Sequence, residues 1–173
     1  MSDGKKKNKM ETITLVITAT MTALMAGLFF AWSVSVVPGL ARLTDHEYVA
    51  AFQSMNRAIQ NPIFLLCFMG AAVALPLCVW MRYDLKSLRF WFLVAAVASY
   101  WIGVMGVTMV GNVPMNETLD GFQLSGATPP EVAQARLNFE APWNKLNMIR
   151  TIASTVSIVF VILACLVQER DID

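Results

Sequence analysis

Four long apolar runs constrain this chain more than any other feature. They cover residues 13–37, 62–81, 90–111 and 146–167, and none carries a charge at its middle. About 20 mostly apolar residues, wound into a helix, cross the hydrocarbon core of a bilayer. A helix also satisfies its own backbone hydrogen bonds where no water is present to do so. The composition agrees: 57% of the 173 residues are apolar, only 14% are charged, and the mean hydropathy is +0.56. A soluble domain carries about a quarter charged residues. Half that amount leaves too little polar surface to cover a water-soluble globule. A soluble enzyme and a disordered chain are therefore excluded, and a net charge of +1 argues against a nucleic-acid partner. The sequence predicts an all-α integral membrane protein: a single domain over 13–167, folded as an antiparallel, up-down four-helix bundle among membrane lipids. A basic tail (1–12) precedes it and a polar tail (168–173) follows.

Basic residues set the orientation. Lys5, Lys6, Lys7 and Lys9 precede the first run, and Arg82, Lys86 and Arg89 crowd the short link after the second. The other two links hold only Arg42 and Arg57, and Arg136 and Lys145. Both termini are thus predicted to be cytoplasmic, in a multi-pass protein of a bacterial inner membrane. The first run is too long for a cleaved signal and reads as a retained helix.

The two outer links carry helix signals. Thr44-Asp45-His46-Glu47 has capping-box spacing and predicts a helix to about residue 60. Tyr48, Phe52, Met55 and Ile59 share its apolar face, with Gln53 and Arg57 opposite, so it lies on the membrane or over the bundle mouth. Thr128-Pro129-Pro130-Glu131 repeats the device, with Val132, Ala135 and Phe139 as the apolar side. Pro142 then marks the entry to the fourth span, Pro114 ends the third helix near Asn112, and Pro76 kinks the second. Cys67, Cys78 and Cys165 read as buried free thiols. Ala71, Ala72 and Ala74 offer a small-residue face for a homo-oligomer.

Polar side chains are costly in hydrocarbon, so their positions carry information. Trp143, Asn147, Arg150 and Ser154 share one face of the fourth helix, Trp101, Met105, Thr108 and Asn112 one face of the third, and Thr14 to Ser33 a stripe on the first. The strongest polar groups gather toward the outer ends: Asn56, Arg57, Gln60, Asn61, Asn112, Asn116, Asn144, Asn147 and Arg150. This asymmetry predicts a polar-lined pocket toward the outer leaflet, roofed by the amphipathic segments. Arg150 either snorkels outward or turns inward to hold a carbonyl, phenolate or carboxylate oxygen, and Asn147 one turn away favours the inward reading. Asn112 and Asn116 either cap a broken helix end or contact a ligand. A single histidine, His46, excludes a bis-histidine haem, and the eleven methionines form no tight ligand face, so no metal site is implied.

Taken together, several motifs resemble a known family. They are Phe29-Phe30-Ala31-Trp32 with Val36-Val37-Pro38, Phe52-Gln53-Ser54-Met55-Asn56-Arg57, and Asn61-Pro62. They continue with Tyr100, Gly103 and Thr108, then Asn112-Val113-Pro114-Met115-Asn116, then Trp143-Asn144-Lys145-Leu146-Asn147 with Arg150. The pattern, spread over residues 20–167, is similar to the anthrone oxygenase-like family of small four-helix membrane proteins, long filed as a domain of unknown function. The resemblance implies oxidation of a flat, lipid-soluble aromatic by dioxygen, without a metal or flavin. Such a site needs an aromatic slot, an anion stabiliser and a base. Trp32, Tyr100, Trp101 and Trp143 suit the walls, with Asn56, Asn116 and Thr108 beside them. Arg150, Asn147 and Asn112 suit the stabiliser. The base is open among His46, Tyr48 and Glu117. The competing reading is a non-catalytic module that binds a lipid or small molecule, or serves as an accessory subunit of a larger membrane complex.

Overall fold

Five helices account for residues 2–167, the part of the chain described by this computed structural model, and no strand occurs among them. Helix α1 is built from Ser2–Ala31, a π-helical stretch Trp32–Val36 and a last turn Val37–Leu40. Helix α2 is Asp45–Ile59 and α3 is Pro62–Met81. Helix α4 runs over Leu88–Asp120 and α5 over Pro129–Leu166. Four of these, all but α2, are long and apolar enough to cross a membrane, and the chain is an integral membrane protein. The polar tail expected at 168–173 lies outside the described residues.

Helix starts follow from the residues at them. Thr44 and Glu47 form the predicted capping box: the Glu47 carboxylate accepts from the Thr44 N–H at 3.0 Å, and the Thr44 hydroxyl accepts from the Glu47 N–H at 3.4 Å. The Thr44 hydroxyl and amide hold the Glu47 carboxyl below its ordinary range. Asn61 Oδ1 caps α3 by accepting from the N–H groups of Ile63 and Phe64. Glu131 accepts from the Thr128 N–H and hydroxyl at the head of α5, both at 2.7 Å.

Two predicted boundaries are corrected. The third span does not end at Asn112: α4 widens into π-helical turns over Ser99–Gly106 and Thr108–Asn112, then resumes as an α-helix from Val113. Pro114 sits in the first turn of that resumed segment, where a missing N–H breaks no α-type bond. Pro38 follows the π-helical stretch of α1 in the same way. Nor does Pro142 open a new helix. It lies inside α5, a single 38-residue helix, so the second link holds no separate amphipathic helix. Phe139 and Trp143, on either side of Pro142, are both buried in one cluster. Their packing holds the helix through a proline that costs about 3 kcal/mol.

Lipid is as apolar as leucine, so close fit and interhelical hydrogen bonds hold membrane helices together. Small residues permit the fit. Ala71 and Ala72 are fully buried within the chain, which removes most of the face expected to serve a second copy. The α4–α5 seam is tightest: a Cβ built on Gly103 would lie 2.3 Å from Ala153 Cβ, and one on Gly111 2.7 Å from a Leu146 methyl. Ser99 Oγ donates to Ala153 O at 2.8 Å and Ser157 Oγ to Ala96 O at 2.9 Å along the same seam. Helices α1 and α3 meet through Met21 against Gly70, the Thr18–Cys78 hydrogen bond at 3.2 Å and a Glu11–Arg82 ion pair at 3.4 Å. Cys78 is buried as predicted, Cys67 is half-buried, and Cys165 faces outward.

Helix α2 does not lie free on the membrane. It packs on α5 and on the end of α4, closing a second hydrophobic cluster of Leu40, Tyr48, Val49, Phe52, Leu119, Val132, Phe139 and Trp143. Gln53, predicted for the solvated side, is buried, and its Nε2 donates to Leu119 O at 2.8 Å and Phe122 O at 2.9 Å. Leu119 lies in the last turn of α4 and Phe122 just beyond it; Leu119 O also accepts from the Phe122 N–H at 3.2 Å, so Gln53 ties down the turn that ends the helix. Arg57 is exposed and binds Asp120 at 2.7 Å, so α2 is stitched to α4 at two points.

Candidate functional site

Between the core of the spans and the second hydrophobic cluster lies a cavity of about 670 Å3. Its aromatic walls are Phe29 and Trp32 of α1, Phe52 of α2, Phe64 and Phe68 of α3, and Trp143 of α5. Its polar lining is Asn56, Gln60, Thr108, Asn116, Asn147 and Arg150, with Glu117 and Asp120 from the last turns of α4. The rings interlock: Trp32 sits 5.8 Å from Trp143 and 6.1 Å from Phe52, and Phe52 meets Trp143 edge-on at 4.9 Å. Edge-to-face packing of this kind fixes ring orientation. The wall is therefore a built surface rather than a loose gap.

Arg150 is turned inward and only 7% exposed. Its guanidinium lies 4.7 Å from the Phe29 ring centre and 5.3 Å from that of Trp143. Nη2 donates to Asn147 Oδ1 at 2.7 Å, Asn147 Nδ2 donates to Ser33 Oγ at 2.8 Å, and Ser33 Oγ lies 2.8 Å from Thr151 Oγ1. Thr151 Oγ1 ends the chain 3.0 Å from Phe29 O. Arginine can only donate, so the Asn147 amide turns its Oδ1 toward the guanidinium and its Nδ2 toward Ser33, while either hydroxyl of the Ser33–Thr151 pair can donate to the other. Such polarised chains strengthen one another at low dielectric. The result holds Arg150 in place from behind and leaves Nε with no protein partner.

Seven of the ten predicted site residues line the cavity: Arg150, Asn147, Trp143, Asn116, Asn56, Trp32 and Thr108. Asn116 does not cap a helix end; its Oδ1 accepts from Trp143 Nε1 at 2.7 Å and fixes that ring. Three are placed elsewhere. Tyr100 is buried, and its hydroxyl donates to Phe68 O at 3.0 Å. Trp101 is 48% exposed on the outside, with Nε1 donating to Ala72 O. The π-helical turns over Ser99–Gly106 insert residues into the turn, so the 3.6-residue spacing that put Trp101 on the stripe does not hold there. Asn112 is fully buried outside the lining, and neither of its amide atoms has a protein partner.

Residue spacing missed Phe52, Phe64 and Phe68 as walls, and Thr151 as the far support of Asn147. Phe52 was legible only as one apolar position on α2. His46 is exposed at the head of α2 and Tyr48 is buried in the second hydrophobic cluster; neither lines the cavity. Burial, reinforced by nearby Glu140, pushes the Tyr48 phenol well above its ordinary range.

Among the described residues, the buried side-chain polar atoms with no protein partner are Trp32 Nε1, Thr108 Oγ1, both amide atoms of Asn112 and Arg150 Nε. Three of these four side chains line the cavity. A buried polar atom without a partner costs about 1–3 kcal/mol, and here that cost is concentrated around one hollow. The family model described as anthrone oxygenase matches residues 50–160, most of the chain. That stretch includes most of α2, all of α3 and α4, and the part of α5 that carries Trp143, Asn147 and Arg150. No curated protein and no solved structure matches the chain.

Proposed function

Because this chain belongs to the anthrone oxygenase family, we propose that it oxidises the methylene of a lipid-soluble, anthrone-like polycyclic aromatic with dioxygen, in the cavity floored by Arg150. The unpartnered buried donors around that hollow, Arg150 Nε and Trp32 Nε1, carry the reading, because an oxygen-bearing ring system would satisfy them. The aromatic walls suit a flat substrate, and the guanidinium suits the oxygen on which negative charge develops once the methylene loses a proton. Asn147 orients the guanidinium, and Asn116 orients Trp143. Asn112 acts from behind the lining. Dioxygen and the substrate are both apolar and both concentrate in the bilayer.

The membrane arrangement belongs to the same reading. The four spans form an antiparallel up-down bundle with both termini cytoplasmic, and α2 with the head of α5 roofs the cavity at the outer leaflet. A reporter fused after residue 173, scored for cytoplasmic activity in whole cells, is expected to be active; activity only on the far side would overturn the four-span topology.

The decisive assay is oxygen uptake by the purified protein in detergent with emodin anthrone. Uptake well above the spontaneous rate, with the anthraquinone as product, is expected. A second reading, a binding module without turnover, draws on Leu65, Met69 and Met109, exposed residues on one side of the cavity that present it to lipid. That reading predicts quenching of Trp32 and Trp143 fluorescence by the anthrone with no oxygen uptake above the spontaneous rate.

A further inference from the structure

The oxygenase reading requires a base, and the membrane core around the cavity floor supplies none. Among the residues lining the cavity, the carboxylates are Glu117 and Asp120, both at its mouth on α4. Asp120 is held by Arg57 at 2.7 Å through Nε, which pairs its charge and fixes its position. Glu117 is exposed on the intervening turn. The cavity thus has a cation at its floor and a carboxylate at its rim. The two ends are connected through the wall: the Arg150 guanidinium lies 5.3 Å from the Trp143 ring centre, Trp143 Nε1 donates to Asn116 Oδ1 at 2.7 Å, and Glu117 is the next residue. Arg150 and Glu117 both line this one cavity, so a flat ring system bound in it can face the guanidinium with its ketone oxygen and the carboxylate with its opposite edge. In an anthrone the acidic methylene is directly across the central ring from the ketone.

We propose that Glu117 is the general base of this chain, a proposal that rests on the oxygenase reading. The Glu117 carboxylate takes one methylene proton. The C–H electron pair moves through the ring to the ketone oxygen, giving an enolate that faces the Arg150 guanidinium. The electron-rich carbon then bonds to dioxygen, which is reduced to the peroxide level, and Glu117 returns the proton to the terminal oxygen. Loss of the second methylene proton breaks the O–O bond and expels hydroxide, which combines with that proton. The balance is one CH2 and one O2 giving one C=O and one H2O. A base at the rim exchanges its proton with water directly, as a turnover-competent base must. The alternatives lie elsewhere: His46 and Tyr48 do not reach the cavity.

The test separates proton abstraction from oxygenation. The full-length protein in detergent is incubated with anthrone under strict anaerobiosis in D2O, and deuterium entry at the methylene is followed by mass spectrometry. In parallel, oxygen uptake is measured in air, and anthrone binding by tryptophan quenching. Wild type is expected to accelerate exchange. Glu117→Gln is expected to slow both exchange and oxygen uptake by at least 30-fold while binding stays within threefold. Glu117→Asp is expected to recover part of the rate, and His46→Gln to match wild type. Exchange and uptake by Glu117→Gln at the wild-type rate, with wild type active, would overturn Glu117 as base and leave the oxygenase reading standing. Loss of anthrone binding in Glu117→Gln would also overturn it, by assigning Glu117 to shaping the site. Wild type inactive in both assays would overturn the oxygenase reading, and this proposal with it.

Discussion

Arg150→Leu is expected to yield a protein that still inserts and folds but has lost ligand affinity and turnover. Two opposing terms decide the first half. Removing a buried guanidinium relieves the insertion cost of arginine, about 3 kcal/mol at a helix centre and less near the interface. Against that, Asn147 Oδ1 loses its donor, since Arg150 Nη2 holds it at 2.7 Å, and a stranded buried acceptor costs about 1–3 kcal/mol. These nearly cancel, so thermal stability in detergent should move little. Function should not be spared. Removing a single preorganised donor from a site that stabilises developing negative charge costs about 10²–10³ in rate, and leucine removes the charge as well. The check is oxygen uptake with emodin anthrone beside tryptophan quenching. Arg150→Lys should recover little, because an ammonium lacks the planar fork that meets Asn147 on one side and the cavity on the other. Wild-type affinity in Arg150→Leu would remove the guanidinium from the site altogether.

A comparable loss, but of the fold, is expected from Gly103→Leu. A Cβ at this position would lie 2.3 Å from Ala153 Cβ, closer than two carbons can approach. The neighbour is a Cβ on an α5 turn rather than a flexible tip, so relief requires the helices to separate. Separation breaks the bond from Ser99 Oγ to Ala153 O and leaves α4 and α5 without their close seam. In lipid no hydrophobic term compensates, because apolar side chains find equally apolar surroundings outside. Gly103→Leu should therefore fail to accumulate as a monodisperse protein by size-exclusion chromatography. Gly103→Ala should be destabilised more mildly, and Ala153→Gly in the same chain should restore it by returning the missing space. No rescue by Ala153→Gly would show that the strain lies elsewhere. Such a pairwise rescue isolates the contact, because both changes act on one point of approach.

Parts of the site were legible in the sequence, and the physical reason is local. Trp143, Asn147 and Arg150 sit on an ordinary α-helix, where steps of four and three share a face, and all three line the cavity. The same arithmetic failed for Trp101, because α4 is π-helical there and its face drifts. It failed for Gln53 because polarity does not reveal whether water or a helix-end carbonyl will satisfy an amide; here it is Leu119 O and Phe122 O. Phe52, Phe64 and Phe68 were invisible as walls because an apolar residue on an apolar face carries no sign of what it faces.

From residue order alone follow the helical spans, the two capping boxes and the inward face of α5, since each depends on neighbours within a few residues or on the uniform solvent that a bilayer presents. Which rings meet across the cavity, that prolines 114 and 142 are passed rather than obeyed, and that carboxylates from the end of α4 line the same cavity as Arg150 were decided by packing between distant segments. Those outcomes depend on how helices approach through Gly103, Gly111 and the π-helical turns, and close approach is a property of surfaces in contact, which no single stretch of sequence contains.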